Sequence, residues 1–206
     1  EESPSGEMFA GAGAGTSGAT ISAGIKENNY LGKGIKLATN FNISEDQIKG
    51  RFSIVNPNFR NSDRSLNTIV ESTSSDNLST SGFKTSRTGL AIGTGFEQYS
   101  DLFINLDISA YYEKLETSST ASSHKKKQEG DYLENLLTYK LTLNKLDQNF
   151  QPTDGYRVGF EQVLPIYSDD LSVENTINYS KYVSITDNLI FSTKFFAKSV
   201  TSIDDD

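Results

Sequence analysis

Few residues of this chain have the types and spacing that covalent chemistry needs. His124 is the only histidine and cysteine is absent, so a Ser-His-Asp triad, a thiol nucleophile and a His- or Cys-based metal site have no donor set to build from. Asp147 and Asp154 lie close in sequence and could be read as a metal-binding or catalytic carboxylate pair. They stand, however, in Asp147-Gln148-Asn149-Phe150-Gln151-Pro152-Thr153-Asp154-Gly155, where Asp and Asn beside Pro and Gly have the chemistry of a turn. Gly89, Gly93 and Gly95 suggest a phosphate cradle, but such a loop opens a helix in a βαβ unit, and Phe96-Glu97-Gln98-Tyr99 leads into another strand. The chain reads as a non-enzyme without metal or cofactor.

The elements that carry these residues are strands. Ser, Thr, Asn and Gly fill the space between apolar positions, which suits many strands better than a helical bundle. The net charge of -8 over 206 residues argues against nucleic acid, because phosphate binding needs a basic face. The one basic run, Lys125-Lys126-Lys127, sits between Ser-rich and Gly-containing stretches and reads as a solvated loop tip. No segment approaches the roughly 18 apolar residues of a membrane helix, and Glu1-Glu2-Ser3-Pro4-Ser5-Gly6 has no apolar signal core. That scan is silent on barrels, whose lipid-facing residues take every second position. The acidic Asp204-Asp205-Asp206 follows directly on a strand pattern, so the chain reads as part of something longer.

About eleven strand-like segments can be marked by period-2 alternation and intervening turn signals. The first is Gly6 to Gly15. The others cover Thr20 to Glu27, Ile35 to Ile43, a stretch around Ile48 to Ile54, Ser65 to Ser72, Thr85 to Phe96, Leu102 to Glu113, Leu133 to Asn144, Tyr156 to Glu161, Leu171 to Ile185 and Leu189 to Val200. The seventh is the cleanest, with Leu102, Ile104, Leu106, Ile108, Ala110 and Tyr112 opposite Asn105, Asp107, Ser109, Tyr111 and Glu113. Several match the roughly 9–11 residues with which a strand crosses a bilayer. The connections fall into two alternating sets. Thr16-Ser17-Gly18, Ser44 to Asp46, Ser74 to Gly82, Thr117 to Gly130 and Tyr167 to Asp170 form the first, which holds the long low-complexity stretch and is placed outside the cell. Asn28 to Gly34, Asn56 to Arg64, Glu97 to Asp101, Asp147 to Gly155 and Thr186 to Asn188 form the second. Tyr111, Tyr112, Tyr139, Tyr156, Tyr179 and Tyr182 lie in strands or near their ends, and some suit an interfacial girdle.

Three elements, Glu27-Asn28-Asn29-Tyr30-Leu31-Gly32-Lys33-Gly34, Ile54-Val55-Asn56-Pro57-Asn58-Phe59 and Asn144 to Val158, resemble BamA-type outer-membrane β-barrel assembly proteins. They come in that family's order and approximate spacing, with Asn56, Pro57, Phe59, Asp147, Pro152, Thr153 and Gly155 as the turn signature. The resemblance covers about Gly6 to Val200. It implies an all-β fold, an antiparallel transmembrane barrel in the bacterial outer membrane, here incomplete at about eleven of sixteen strands. The whole of 1–206 would be this partial barrel, without the family's POTRA domains and final strands. It also implies an insertase whose partners are nascent outer-membrane proteins, accessory assembly lipoproteins and membrane lipid. Rival readings are a related translocation barrel such as TamA or a two-partner secretion pore, a passive porin with Arg51, Arg87 and Lys140 lining its lumen, and a soluble β-sandwich.

The first strand is where function is expected. In Gly6, Glu7, Met8, Phe9, Ala10, Gly11, Ala12, Gly13, Ala14 and Gly15, small residues dominate, and glycine inside a strand weakens packing. In the resembled family this strand is one side of a lateral gate, where an incoming strand is bound through main-chain hydrogen bonds. The bland alternative is that small residues relieve crowding inside the barrel.

Overall fold

The computed structural model describes residues 6–15, 18–169, 171–186 and 188–203. The expectations that touch residues 1–5, Thr16, Ser17, Asp170, Asp187 and 204–206 lie outside the described residues.

Eleven strands form among them: β1 (Gly6–Gly15), β2 (Gly18–Tyr30), β3 (Ile35–Ser44), β4 (Gln47–Asn56), β5 (Ser65–Asn77), β6 (Phe83–Tyr99), β7 (Leu102–Thr117), β8 (Gly130–Leu146), β9 (Gly155–Ser168), β10 (Ser172–Thr186) and β11 (Leu189–Ser202). They make a single antiparallel sheet in sequence order, each strand hydrogen-bonded to its chain neighbours. One meandering sheet is not a β-sandwich, which needs two sheets face to face. β1 and β11 are its edges and do not pair with one another.

Most strands outrun the alternation that marks them in sequence. β5 continues past Ser72 to Asn77, because Thr73, Ser74, Ser75, Asp76 and Asn77 pair in register with Arg87, Ser86, Thr85, Lys84 and Phe83 of β6. Serine and aspartate look like turn residues, yet ladder bonds are made by the backbone and accept any side chain that clears its neighbours. β2, β6, β7, β8 and β9 lengthen in the same way, and β10 begins one residue later than Leu171. The stretch from Thr117 to Gly130 is not wholly irregular. Ser123–Lys127 form one helical turn (α1), capped by the Ser122 hydroxyl accepting from the Lys125 N–H. Lys125 lies with Nζ 5.1 Å from the Phe83 ring and Lys126 donates to the Ser119 carbonyl at 2.6 Å; Lys125 is thus held against the sheet, while Lys126 and Lys127 remain exposed on the loop.

The sheet encloses almost no core of its own. Leu115 and Ala121, under and within that loop, are the buried apolar residues among those described. What the sheet has instead is two faces. Met8, Ile21, Ile25, Phe41, Phe52, Val70, Leu90, Ile92, Leu106 and Ile108 stand exposed on one. The other is polar, and the register can be followed across it: Gly11 opposes Ser22, which opposes Asn42, then Lys49, Thr73, Arg87 and Glu113. An apolar face of this extent on a lone sheet is stable only in contact with something other than water.

Candidate functional site: the first strand and the polar wall

β1 occupies the expected residues, Gly6 to Gly15, and pairs with β2 from Gly6 opposite Glu27 to Gly15 opposite Gly18. Met8, Ala10, Ala12 and Ala14 share the apolar face with Ile25, Ala23, Ile21 and Ala19; Glu7, Phe9, Gly11 and Gly13 share the polar one with Lys26, Gly24, Ser22 and Thr20. The glycines differ in what surrounds them. A Cβ built on Gly11 or Gly13 would meet nothing within 4 Å. Their partners Ser22 and Thr20 are short, and the Ser22 hydroxyl turns away to donate to Asn42 at 2.7 Å. At Gly24 the reverse holds: the Phe9 ring lies across it, with Cε1 2.4 Å from where a Cβ would stand.

The polar face of β4 to β8 carries a connected cluster that sequence reading did not assemble. Arg51 pairs with Glu71 at 3.6 Å, and the Tyr111 hydroxyl donates to the same carboxylate at 3.2 Å. Arg87 stacks on the Tyr111 ring with its guanidinium carbon 4.0 Å from the centroid and donates to Glu134 at 2.8 Å. Glu113 lies 4.0 Å from Arg87 Nε. Farther along, Lys140 meets Glu161 at 3.4 Å and Lys198 meets Glu174 at 2.8 Å. These side chains are half-exposed, so each pair stabilises by at most about 1 kcal/mol. The signal for them was in the sequence only as parity. Arg51, Arg87 and Lys140 stand on the face expected, but each already faces a carboxylate. Tyr111 and Tyr182 also belong to the polar face and so leave the girdle, whereas Tyr112, Tyr139, Tyr156 and Tyr179 stay on the apolar side.

Gly89, Gly93 and Gly95 have a packing role. Each faces a long side chain of β7: a Cβ at Gly89 would lie 2.2 Å from the Ala110 carbonyl and 2.5 Å from the Tyr111 ring, at Gly93 it would run into the Asp107 carboxylate, and at Gly95 into the Asn105 amide. Glycine lets a neighbouring strand's side chain lie flat across the sheet.

The signature turns all fall at one end, opposite the 118–129 loop. After β2, Asn29 accepts from the Gly34 N–H through its side chain at 2.7 Å, and Leu31, Gly32 and Gly34 take positive φ. After β4, Asn56 accepts from the Asn58 N–H at 3.2 Å, Phe59 N–H donates to the Arg64 carbonyl at 2.8 Å, and Arg60 stacks on Phe59. Between β8 and β9, Asp147 accepts from the Thr153 hydroxyl at 2.6 Å and from its N–H at 3.1 Å. The Thr153 hydroxyl is the main reason the Asp147 carboxyl is held below the usual carboxylate range. Gly155 closes the turn at φ +97, where a Cβ would lie 2.0 Å from the Lys145 carbonyl. Lys145 in turn pairs with Asp101 at 2.5 Å, lowering that carboxyl too. Asp147 and Asp154 are therefore spent on the turn, and no cluster of His, Cys, Asp and Glu suited to a metal occurs among the described residues.

Comparison with known proteins agrees with this architecture. Residues 29–203 match the Omp85 superfamily domain, which leaves β1 and most of β2 outside the matched range. The fold is similar to that in the crystal structure of BamA from Haemophilus ducreyi lacking POTRA domains 1-3, with a TM-score of 0.79 and 21% identity over 98% of this chain. The chain spans 42% of that structure's length.

Proposed function

The chain belongs to the Omp85 superfamily, whose members are β-barrels of the bacterial outer membrane, and on that premise we propose that it forms part of an insertase barrel in which β1 receives the incoming strand of a nascent outer-membrane protein. The apolar face described above then meets lipid and the polar face lines the lumen. The observation that carries the proposal is the bareness of β1. Gly11 and Gly13 have no atom within 4 Å of a would-be Cβ; within this chain β1 and β11 each pair on one side only, and it is the bare glycines that single out β1. An edge offers a row of N–H and C=O groups to any strand that approaches. Recognition through the main chain tolerates clients of many sequences, which is the property an assembly machine needs. No covalent step or cofactor enters: the work is the exchange of one set of ladder bonds for another. Accessory assembly lipoproteins are the further partners this reading adds.

A passive pore is supported less well. Arg51, Arg87 and Lys140 face Glu71, Glu134 and Glu161, so the luminal cations are neutralised in place rather than presented to a permeating ion.

The test is insertion of a client barrel into vesicles by the full-length protein carrying valine at both Gly11 and Gly13. Side chains there fill open space, so the barrel itself remains folded while client insertion slows. Unchanged insertion at unchanged stability would remove β1 from the mechanism.

A further inference from the structure

β1 contains a feature that its own composition makes necessary. Ala10-Gly11-Ala12-Gly13-Ala14-Gly15 superposes on itself when moved by two residues. A slip of one residue would exchange the two faces and is opposed by lipid, but a slip of two preserves them and replaces alanine by alanine and glycine by glycine. The repeat therefore cannot specify which residue of β2 each of its members faces. We infer that Phe9 is the register pin of β1, acting by laying its ring across Gly24.

Phe9 and Gly24 are direct cross-strand partners, and the ring occupies the volume that a Cβ at position 24 would take, with Cε1 and Cζ 2.4 and 2.5 Å from that point. Gly24 is the one glycine inside β2, between Gly18 at its start and Tyr30 at its end. Moved by two residues in either direction, Phe9 would face Lys26 or Ser22, whose side chains occupy the seat and force the ring off the sheet. Glu7 opposite Lys26 favours the same register, but as an exposed pair it adds little. The same arrangement recurs on the same face at Gly89 and Tyr111, where Glu71 and Arg87 hold the ring in addition. On β1 the pin stands at one end of the strand and the bare glycines follow it. Phe9 is thus a positioning residue. If β1 receives a client strand, as proposed above, the register of β1 sets the register in which that strand is accepted.

These 206 residues contain no cysteine, so disulfide trapping between introduced pairs, in a full-length protein whose other cysteines are replaced by serine, reads the register directly. One cysteine replaces Ala12, and its partner replaces Ile21, which faces Ala12 in the observed register, or Ala23 or Ala19, which would face it after a slip of two. Diagonal positions are about 7–8 Å apart between Cα atoms, at or beyond disulfide reach. With Phe9 in place the 12–21 pair oxidises and the others do not. Phe9→Ala shifts the ratio toward 12–23 and 12–19 by about three- to fivefold, the weight of one aromatic cross-strand contact. Phe9→Tyr restores 12–21. Phenylalanine moved to position 11, as F9A with G11F, makes 12–23 the dominant product, because residue 11 then seats on Gly24; this variant retains an aromatic on the strand and so separates register from loss of folding. An unchanged ratio in Phe9→Ala, or a transplanted ring that leaves 12–21 dominant, overturns the inference. None of these readouts involves a client, so a shifted ratio in a protein whose valine variant still inserts clients normally would uphold Phe9 and defeat the client-strand reading alone.

Discussion

β6 and β1 use glycine to opposite ends. On β6, Gly89, Gly93 and Gly95 vanish beneath Tyr111, Asp107 and Asn105, and the absent side chains are replaced by those of the next strand. On β1, Gly11 and Gly13 are replaced by nothing. Both sets lie on the polar face of one sheet, yet Gly93 and Gly95 are buried and Gly89 half-buried, while Gly11 and Gly13 stand exposed. What separates them is the neighbour: β7 offers long side chains at the paired positions, and β2 offers Ser22 and Thr20. A glycine in a barrel strand is a joint where a partner side chain fills it and a weak place where none does. The Arg51, Glu71, Tyr111, Arg87 and Glu134 cluster reinforces the joint side, which gives the sheet a tied wall and a loosely held edge.

The comparison is broken most readily by adding one methyl group at each kind of site. Gly89→Ala drives Cβ onto the Ala110 carbonyl, a backbone atom that cannot rotate away, and destabilises the barrel by about 1–3 kcal/mol. Gly93→Ala meets a carboxylate that can swing aside, so its cost stays below about 1 kcal/mol. Gly11→Ala changes sign, stabilising by about 0.5–1 kcal/mol because alanine loses less entropy than glycine in a strand. Denaturant unfolding of the three variants in one detergent checks the order, and equal losses at positions 89 and 11 would erase the distinction. The smallest effect belongs to the turn at the far end of the tied wall. Asp147 has a lowered pKa in the folded protein, so its ties to Thr153 are complete above the ordinary carboxylate range and are lost as pH falls through the depressed folded value. Amide exchange at Thr153 should accelerate in that acid window, and Asp147→Asn should abolish the dependence. A flat wild-type profile would mean that the carboxylate does not hold the turn.

Much of the wall was legible because lipid on one side and water on the other impose period-2 alternation on Leu102 to Tyr112 and its neighbours. β1 was legible over Gly6 to Gly15, where small residues alternate in a run unlike any other in the chain. The ends of β5 and β7 were not, because Ser72 to Asn77 and Glu113 to Thr117 carry side chains that alternation does not sort, while the backbone ladder continues through them. The seats of the β6 glycines were hidden for a different reason. Tyr99 pairs with Leu102, but Glu97 pairs with Phe103, so the ladder loses a residue at Gln98. Counting back from the turn without that irregularity would set Gly89 against Tyr112 on the lipid face. One bulge decides which tyrosine lies over the glycine, and nothing at Gln98 announces it. Phe9 on Gly24 escaped notice because a phenylalanine in a small-residue strand reads as one more apolar residue until its partner is known.

Site-specific photocrosslinking in the full-length protein tests most directly whether β1 is the strand that meets the client. A probe at Ala12 on the edge strand and another at Ile108 on the tied wall would be compared during assembly of a client barrel. If β1 receives the client strand, Ala12 traps the nascent protein and Ile108 does not. Trapping at Ile108 with none at Ala12 would contradict it.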